Sequence, residues 1–485
     1  MLQENKEILA NSPAIDPRGP VADRVMPWVP MPSRNAEHAA FLSTESLDQC
    51  VGGLPDQGSA AESAHPRWSS LTLSEPVSGP AAEFVAHCDN SPSKIDVQHH
   101  WSLLRSGLEQ RFEAVNRFLT DVLTDGHIPE FVLRHSSAMK FLRSQPRSLQ
   151  GLRPGIGKWT WLASTDIYVS GDGEFLILDH NFSCPTGFEK LAGLLRTRSD
   201  GLLRDGHDPV ASWLEGRMQF GWCGLEGNSD RLRTAVLTTG SFHPEQSEHN
   251  YLTSHLGAAA VRNRDVILRP DGLYLNQSGH PERIDILVRR VDDDLLDPNC
   301  YRPDSLIGVP GMVKACRESS LCVLNSPGTG IMNNRAIGVL IPEMIRHYLK
   351  ESPILDSATT LICADEADRG MVLSHLDRYS VRTIDPQHPR RPFFGSSSGK
   401  AETAELTSSL LRNPHHYVAR PLIEDWSRAV EGCAAGYNLR VFAGISEKFD
   451  MLPAGIGRAC QPDGGATLAI ANDSTAFLVN MSGEG

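Results

Sequence analysis

The sequence predicts a mixed α/β protein assembled from α+β subdomains, and three observations carry that expectation. First, His99 to Leu123 places Trp101, Leu104, Leu108, Phe112, Val115, Phe118, Leu119 and Val122 at helical spacing, ended by Asp125-Gly126. Second, two β-rich runs between Thr160 and Asn181 are joined by Ser170-Gly171-Asp172-Gly173, a hairpin signal. Third, strands then alternate with small-residue turns and helices. Thr234–Leu237 leads through Thr238-Thr239-Gly240 to a helix over Glu248–Leu256, with strands near Ala260 and Leu273. Val323-Leu324 leads through Asn325-Ser326-Pro327-Gly328-Thr329-Gly330 to a helix through Ile337, Leu340, Met344 and Tyr348. From Tyr417 the chain returns to β, with runs at 417–419, 438–443, 449–452, 466–471 and 476–479.

Composition sets the outer bounds. The chain has 485 residues, enough for two to three domains of ordinary size, and 40% of them are hydrophobic, enough to bury a core. A net charge of −13 without a basic patch argues against nucleic acid as a partner. Apolar runs such as Ile337–Ile341 fall far short of the roughly 20 residues of a membrane span, so no membrane association is expected. The N-terminus has no basic start followed by an apolar core, and the ten cysteines include no C-x-x-C pair. A reduced, cytoplasmic setting is the default. Residues 1–65, rich in Pro and Ser with little periodicity, read as mostly disordered. The remainder divides into 66–230 with the long helix and the hairpin, a central α/β region at 231–375, and a β-rich C-terminal lobe at 376–485.

The chemistry-bearing residues fall in three places. In the hairpin, Asp166 lies on the first strand and Asp179 and Asn181 end the second, so register sets Asp166 near Asp179 while Asp179 and Asn181 share a face. Two carboxylates and an amide oxygen on one face suit a hard cation such as Mg²⁺, although an ordinary hairpin with polar ends has the same pattern. Between Ile284 and Pro310 a buried β-branched run opens into Arg289, Arg290, Asp292, Asp293 and Asp294, as a ligand-holding strand end or as a self-paired charged terminus. In the C-terminal lobe, Arg440 and Arg458 sit in hairpin context, where forked hydrogen bonds suit phosphate and local acid pairing is the plainer account.

Several stretches together resemble a known family. They are LEQRFEAVNRFLTDVL with GHIPE, the hairpin from Asp166 to Asn181, VLTTGSFHPEQSEHNYLTSHLG, VRRVDDDLLDPNCYRPDSLIGVPG and LNSPGTGIMNNRAIGVLIPEMIRHYLKESPIL. In this order they resemble the circularly permuted ATP-grasp proteins of type 2, related to glutathionylspermidine-synthase-like peptide ligases. The resemblance implies a permuted ATP-grasp fold and an ATP-dependent carboxylate–amine ligase that works through an acyl phosphate. The partners implied are small-molecule or peptide-like carboxylate and amine substrates. It also implies Mg²⁺ on Asp166, Asp179 and Asn181 and phosphate contacts from Arg440 and Arg458. Arg289, Arg290, Asp292 and Asp293 would form the substrate side.

The chain departs from the pattern where nucleotide binds. Asp385-Pro386 stands where the family has Lys-Pro, leaving Arg390, Arg391 or Lys400 as substitute cations. Asn333-Asn334-Arg335 replaces Asp-Asp-Lys, Asp179 replaces a Glu, and Ala471-Asn472-Asp473-Ser474 is what remains of a serine- and glycine-rich run. The alternative expectation is therefore an ATP-grasp scaffold that has lost its chemistry and serves as a binding partner of a neighbouring enzyme.

Overall fold

The computed structural model describes residues 97–480, apart from 171–173, 199–207, 224–231, 241–242, 277–279, 319–320, 385–391, 397, 423–436, 446–447 and 460–475. The expected disorder of residues 1–65, the hairpin turn, Arg390, Arg391 and the β-run at 466–471 lie outside the described residues.

The apolar stripe first noted folds as helix Val97–Leu119, continued by a π-turn at Thr120–Thr124. Its buried face packs on a six-stranded sheet of order β10-β2-β1-β15-β16-β17, where β1 is Leu162–Val169, β2 Phe175–Asn181, β10 Asp356–Ser357, β15 Tyr437–Ile445, β16 Phe449–Ala459 and β17 Ala476–Asn480. Phe112 meets Phe182 and Phe449 edge-on, with centroids 5.2 and 5.1 Å apart. Such geometry adds to the burial of the rings. The hairpin is therefore the centre of a larger sheet, joined along β1 to the C-terminal β15.

A second, parallel sheet has the order β4-β3-β8-β9, with β3 Thr234–Leu237, β4 Ala259–Val261, β8 Ile286–Arg289 and β9 Cys322–Leu324. The run read as one strand from Ile284 is in fact two. Glu282–Ile284 (β7) pairs in a small antiparallel sheet with β5 (Val266–Arg269) and β6 (Gly272–Leu275). The chain then breaks at Asp285, whose Oδ2 accepts from the Arg233 amide, before β8 begins. A third sheet has the order β11-β14-β12-β13, with β11 Leu361–Ile362, β12 Tyr379–Thr383, β13 Phe393–Phe394 and β14 Tyr417–Pro421. Helices Glu366–Ser374 and Lys400–Arg412 contribute Val372, Leu406 and Leu410 to its core. Among the described residues no helix is long and apolar enough to cross a membrane.

The helix expected through Ile337 to Tyr348 is broken into a 3₁₀ turn at Thr329–Asn333, a turn of helix at Arg335–Gly338, another at Ile341–Met344 and a π-turn at Ile345–Leu349. Pro342 stands at the start of the third piece and has no amide to continue the ladder. The apolar positions are nonetheless buried as the periodicity requires.

The glycine-rich turn after β9 is clamped from below. Asp293 Oδ2 accepts from the amides of Gly328 (3.1 Å) and Gly330 (2.6 Å), while its Oδ1 faces Arg289 at 2.9 Å. A Cβ on Gly330 would stand 2.5 Å from Asp293 Oδ2, and that carboxylate cannot swing away without releasing Arg289 and both amides. Gly330→Ala is therefore expected to destabilise the protein by about 1–3 kcal/mol, read as a lower urea midpoint. An unchanged midpoint would show that the clamp is loose.

Candidate functional site

A cleft opens between the six-stranded sheet and the β11–β14 sheet. It is partly open to solvent, and its lining includes Arg111, Asp179, His180, Arg335, Thr360 and Arg420. Hairpin register sets Asp166 opposite Asp179 and Ser164 opposite Asn181, the arrangement expected from the sequence. Across the other edge of β1, Asp166 is the register partner of Arg440. A forked pair forms there, Nε to Oδ1 and Nη2 to Oδ2, both at 2.6 Å.

Asp179 gathers cations from three separate elements. Arg420 of β14 reaches it with Nη2 at 3.0 Å and Nη1 at 3.4 Å, Arg335 with Nε at 3.7 Å and Arg382 of β12 with Nη1 at 3.8 Å. Ser380 pairs with Arg420 and Arg382 with Val418, so the two arginines are diagonal neighbours on one face of the antiparallel pair. Arg335 is held by its own backbone and side chain, whose amide and Nη1 donate to the carbonyls of Ile384 and Thr383. Asn334 caps the short helix above it through the Ala336 amide.

Four guanidinium groups thus face two carboxylates, an excess of two positive charges in a partly buried space. Burial would raise the Asp179 carboxyl, but Arg420, Arg335 and Arg382 outweigh it and hold the group well below the usual carboxylate range. Burial pushes Arg382 down to about 10, and it stays charged at neutral pH. His180, buried beside Arg111, is depressed to about 3 and is a neutral ring that shares a hydrogen bond with Thr165 Oγ1. The chemistry such a site offers is capture of an anion with several oxygens, for which forked guanidinium donors are suited.

Magnesium fits the same residues poorly as they stand. Both Asp166 oxygens meet Arg440, and both Asp179 oxygens meet arginines. Asn181 Oδ1 accepts from the amides of Ser183 and Cys184 and from Asn333 Nδ2. Each of the five oxygens already faces a donor, and a dication would enter a site with surplus positive charge.

The other expected site residues are placed as follows. Arg458, buried on β16, has Asn438 as its register partner, in the strand pair that carries Arg440. Lys400 opens helix Lys400–Arg412, is exposed, and does not line the cleft. Arg289 is fully enclosed, donating to the carbonyls of Asn325, Val291 and Ser326 and to Thr329 Oγ1 besides its pair with Asp293. Arg290 donates to the Pro185 carbonyl and stands 3.6 Å from Glu245. Asp292 accepts from Ser183 Oγ at 3.4 Å, and burial raises its carboxyl. The arrangement therefore unites Asp166, Asp179 and Arg440, while Arg289 and Asp293 shape the glycine-rich turn from inside.

Arg335, Arg382 and Arg420 were not singled out as site residues in the sequence. The signal that could have found two of them is an arginine within a short strand of otherwise uncharged residues, YSVRT and YVARP. Arg382 is also the cation that β12 brings to Asp179, three residues before Asp385 in the sequence.

Comparison with known proteins agrees with this architecture. The pattern of the family described as circularly permuted ATP-grasp type 2 matches residues 95–460. An uncharacterized protein of Synechocystis is 31% identical over 340 residues, covering 68% of this chain and 69% of its own length. One from Mycobacterium tuberculosis is 27% identical over 382 residues, covering 75% of this chain and 68% of its own. A Frankia alni protein named "Putative glutamate--cysteine ligase 2-3" is 26% identical over 448 residues, covering 87% of this chain and 49% of its own. The chain thus spans about half the length of that relative.

Proposed function

Since the chain belongs to the circularly permuted ATP-grasp type 2 family, we propose that it is an ATP-dependent carboxylate–amine ligase that grips the nucleotide's phosphates with arginines. The observation that carries the proposal is the convergence of Arg335, Arg382, Arg420 and Arg440 on the cross-strand pair Asp166 and Asp179, of which Asp179, Arg335 and Arg420 line the cleft. The Frankia relative's name points the same way, toward joining an amino acid carboxylate to an amine. In this reaction a substrate carboxylate oxygen bonds to the γ-phosphorus as the bond to ADP breaks. The amine then attacks the acyl carbon, phosphate leaves with the C–O bond pair, and the amine loses a proton. Guanidinium groups fixed where negative charge accumulates lower the barrier to the first transfer without reorganising. An incoming phosphate also relieves the crowding of the three arginines around Asp179. Mg²⁺ is the ion the family uses, whereas the donor set as arranged in this chain favours anions.

The test is binding before turnover. ATP at millimolar concentration should raise the melting temperature, and Arg420→Ala or Arg382→Ala should weaken that binding about tenfold or more, the value of a lost charge-assisted hydrogen bond. Arg420→Lys keeps the charge and loses the fork, so it should fall between. If ATP gives no shift with the wild-type protein, the proposal fails.

The same surplus of arginine favours a second reading, a scaffold that binds a phosphorylated ligand without turning it over and serves a neighbouring enzyme. ADP release dependent on an added carboxylate and amine, and lost in the Arg382→Ala variant, separates the ligase from the scaffold.

A further inference from the structure

The loop and helix that follow β3 carry a second cluster, at the carboxyl end of the parallel sheet where open α/β sheets hold ligands. His243, Glu245 and His249 each bring a ligand-type atom to within 4.8 Å of the others. His243 and His249 lie nearly parallel, centroids 5.2 Å apart and planes 16° from one another. His249 is 1% exposed, and neither of its ring nitrogens has a hydrogen-bond partner. A wholly buried imidazole left with both nitrogens unsatisfied is costly and calls for an explanation.

The neighbouring groups fit one. The Glu245 amide donates to His243 Nδ1 at 3.2 Å, which orients that ring. Glu245 stands 3.6 Å from Arg290, which orients the carboxylate from outside.

We infer that His243, Glu245 and His249 form a binding site for one divalent transition-metal ion of the zinc type. Two imidazoles and a carboxylate are the donor set of such ions rather than of magnesium, which takes oxygen. Three protein ligands leave a coordination position open, the mark of a site that can also hold a substrate atom. The sequence HPEQSEH permits it because Pro244 starts the turn that brings residue 243 back over the first turn of helix Gln246–His255. This inference does not depend on the arginine cleft or on ATP.

The full-length protein, free of any histidine tag and stripped with a chelator, is titrated with Zn²⁺ and separately with Co²⁺. One equivalent should bind, Co²⁺ with visible ligand-field absorption, while excess Mg²⁺ displaces neither. His243→Ala and Glu245→Ala remove partly exposed side chains, so both variants should fold. Each should lower affinity by at least the roughly 10–100-fold that losing a mere supporting partner costs. His280→Ala, at a histidine outside the cluster, should leave affinity unchanged. The inference is overturned if no equivalent binds, or if binding survives undiminished in both cluster variants.

Discussion

Asp179→Ala is expected to destabilise the protein by about 3–5 kcal/mol, the range for removing one partner of a buried ion pair. The reason is the imbalance it creates. Arg335, Arg382 and Arg420 all face that carboxylate within 3.8 Å, and without it three guanidinium groups confront each other in a partly buried space. Urea unfolding at neutral pH measures the loss. Added inorganic phosphate should restore part of it in the variant, since an anion in the vacated position returns the missing charge. The wild-type protein has an acid signature with a definite sign. The folded Asp179 carboxyl lies below its ordinary value of 3.8, so its contribution is full above that pH and is lost as pH falls below it. Below a pH of about 4, Asp179→Asn should therefore show a flatter decline in stability than the wild type. A parallel decline, or an alanine variant as stable as the parent, would mean that the arginines are held apart by something other than Asp179.

Asp293→Ala should cost as much, about 3–5 kcal/mol, by a different route. Its partner Arg289 has no exposed side-chain surface, so the stranded cation cannot reach water. The Gly328 and Gly330 amides lose their acceptor at the same time. Asp293→Asn keeps volume and an acceptor oxygen, and should fall between alanine and wild type. Cleavage by a protease after the turn at 326–330 should rise in step with the urea result. A loss under about 1 kcal/mol would show that Arg289 is sustained by its carbonyl partners alone.

How much of this could be read from the chain differs by element. The hairpin was legible from its turn residues, but the pairing of Asp166 with Asp179 rests on a bulge between Asp166 and Ile167 that the turn does not announce. The long helix was legible from its stripe, which needs no partner to be recognised. The break at Asp285 was not, since one apolar run reads alike whether it serves one sheet or two. The helix from Arg335 onward was expected whole because burial follows the same period in its fragments. The arginines around Asp179 were hidden for a more general reason. Residues 335, 382 and 420 meet residue 179 through the packing of two sheets, and no local pattern records such a meeting.

Asn325 gives the cleft its fixed side. Its Oδ1 accepts from the amides of Trp161 and Leu162, and its Nδ2 donates to the carbonyls of Leu162, Phe182 and Ser183. One side chain at the end of β9 therefore rivets the parallel sheet to both ends of the hairpin, through five hydrogen bonds that no water reaches. These two bodies act as a single jaw. The sheet of β11 to β14 meets Asp179 through charged groups, which exchange partners at small cost when an anion arrives. The hairpin and the parallel sheet are thus one fixed wall, and the arginines of β12 and β14 face it across Asp179.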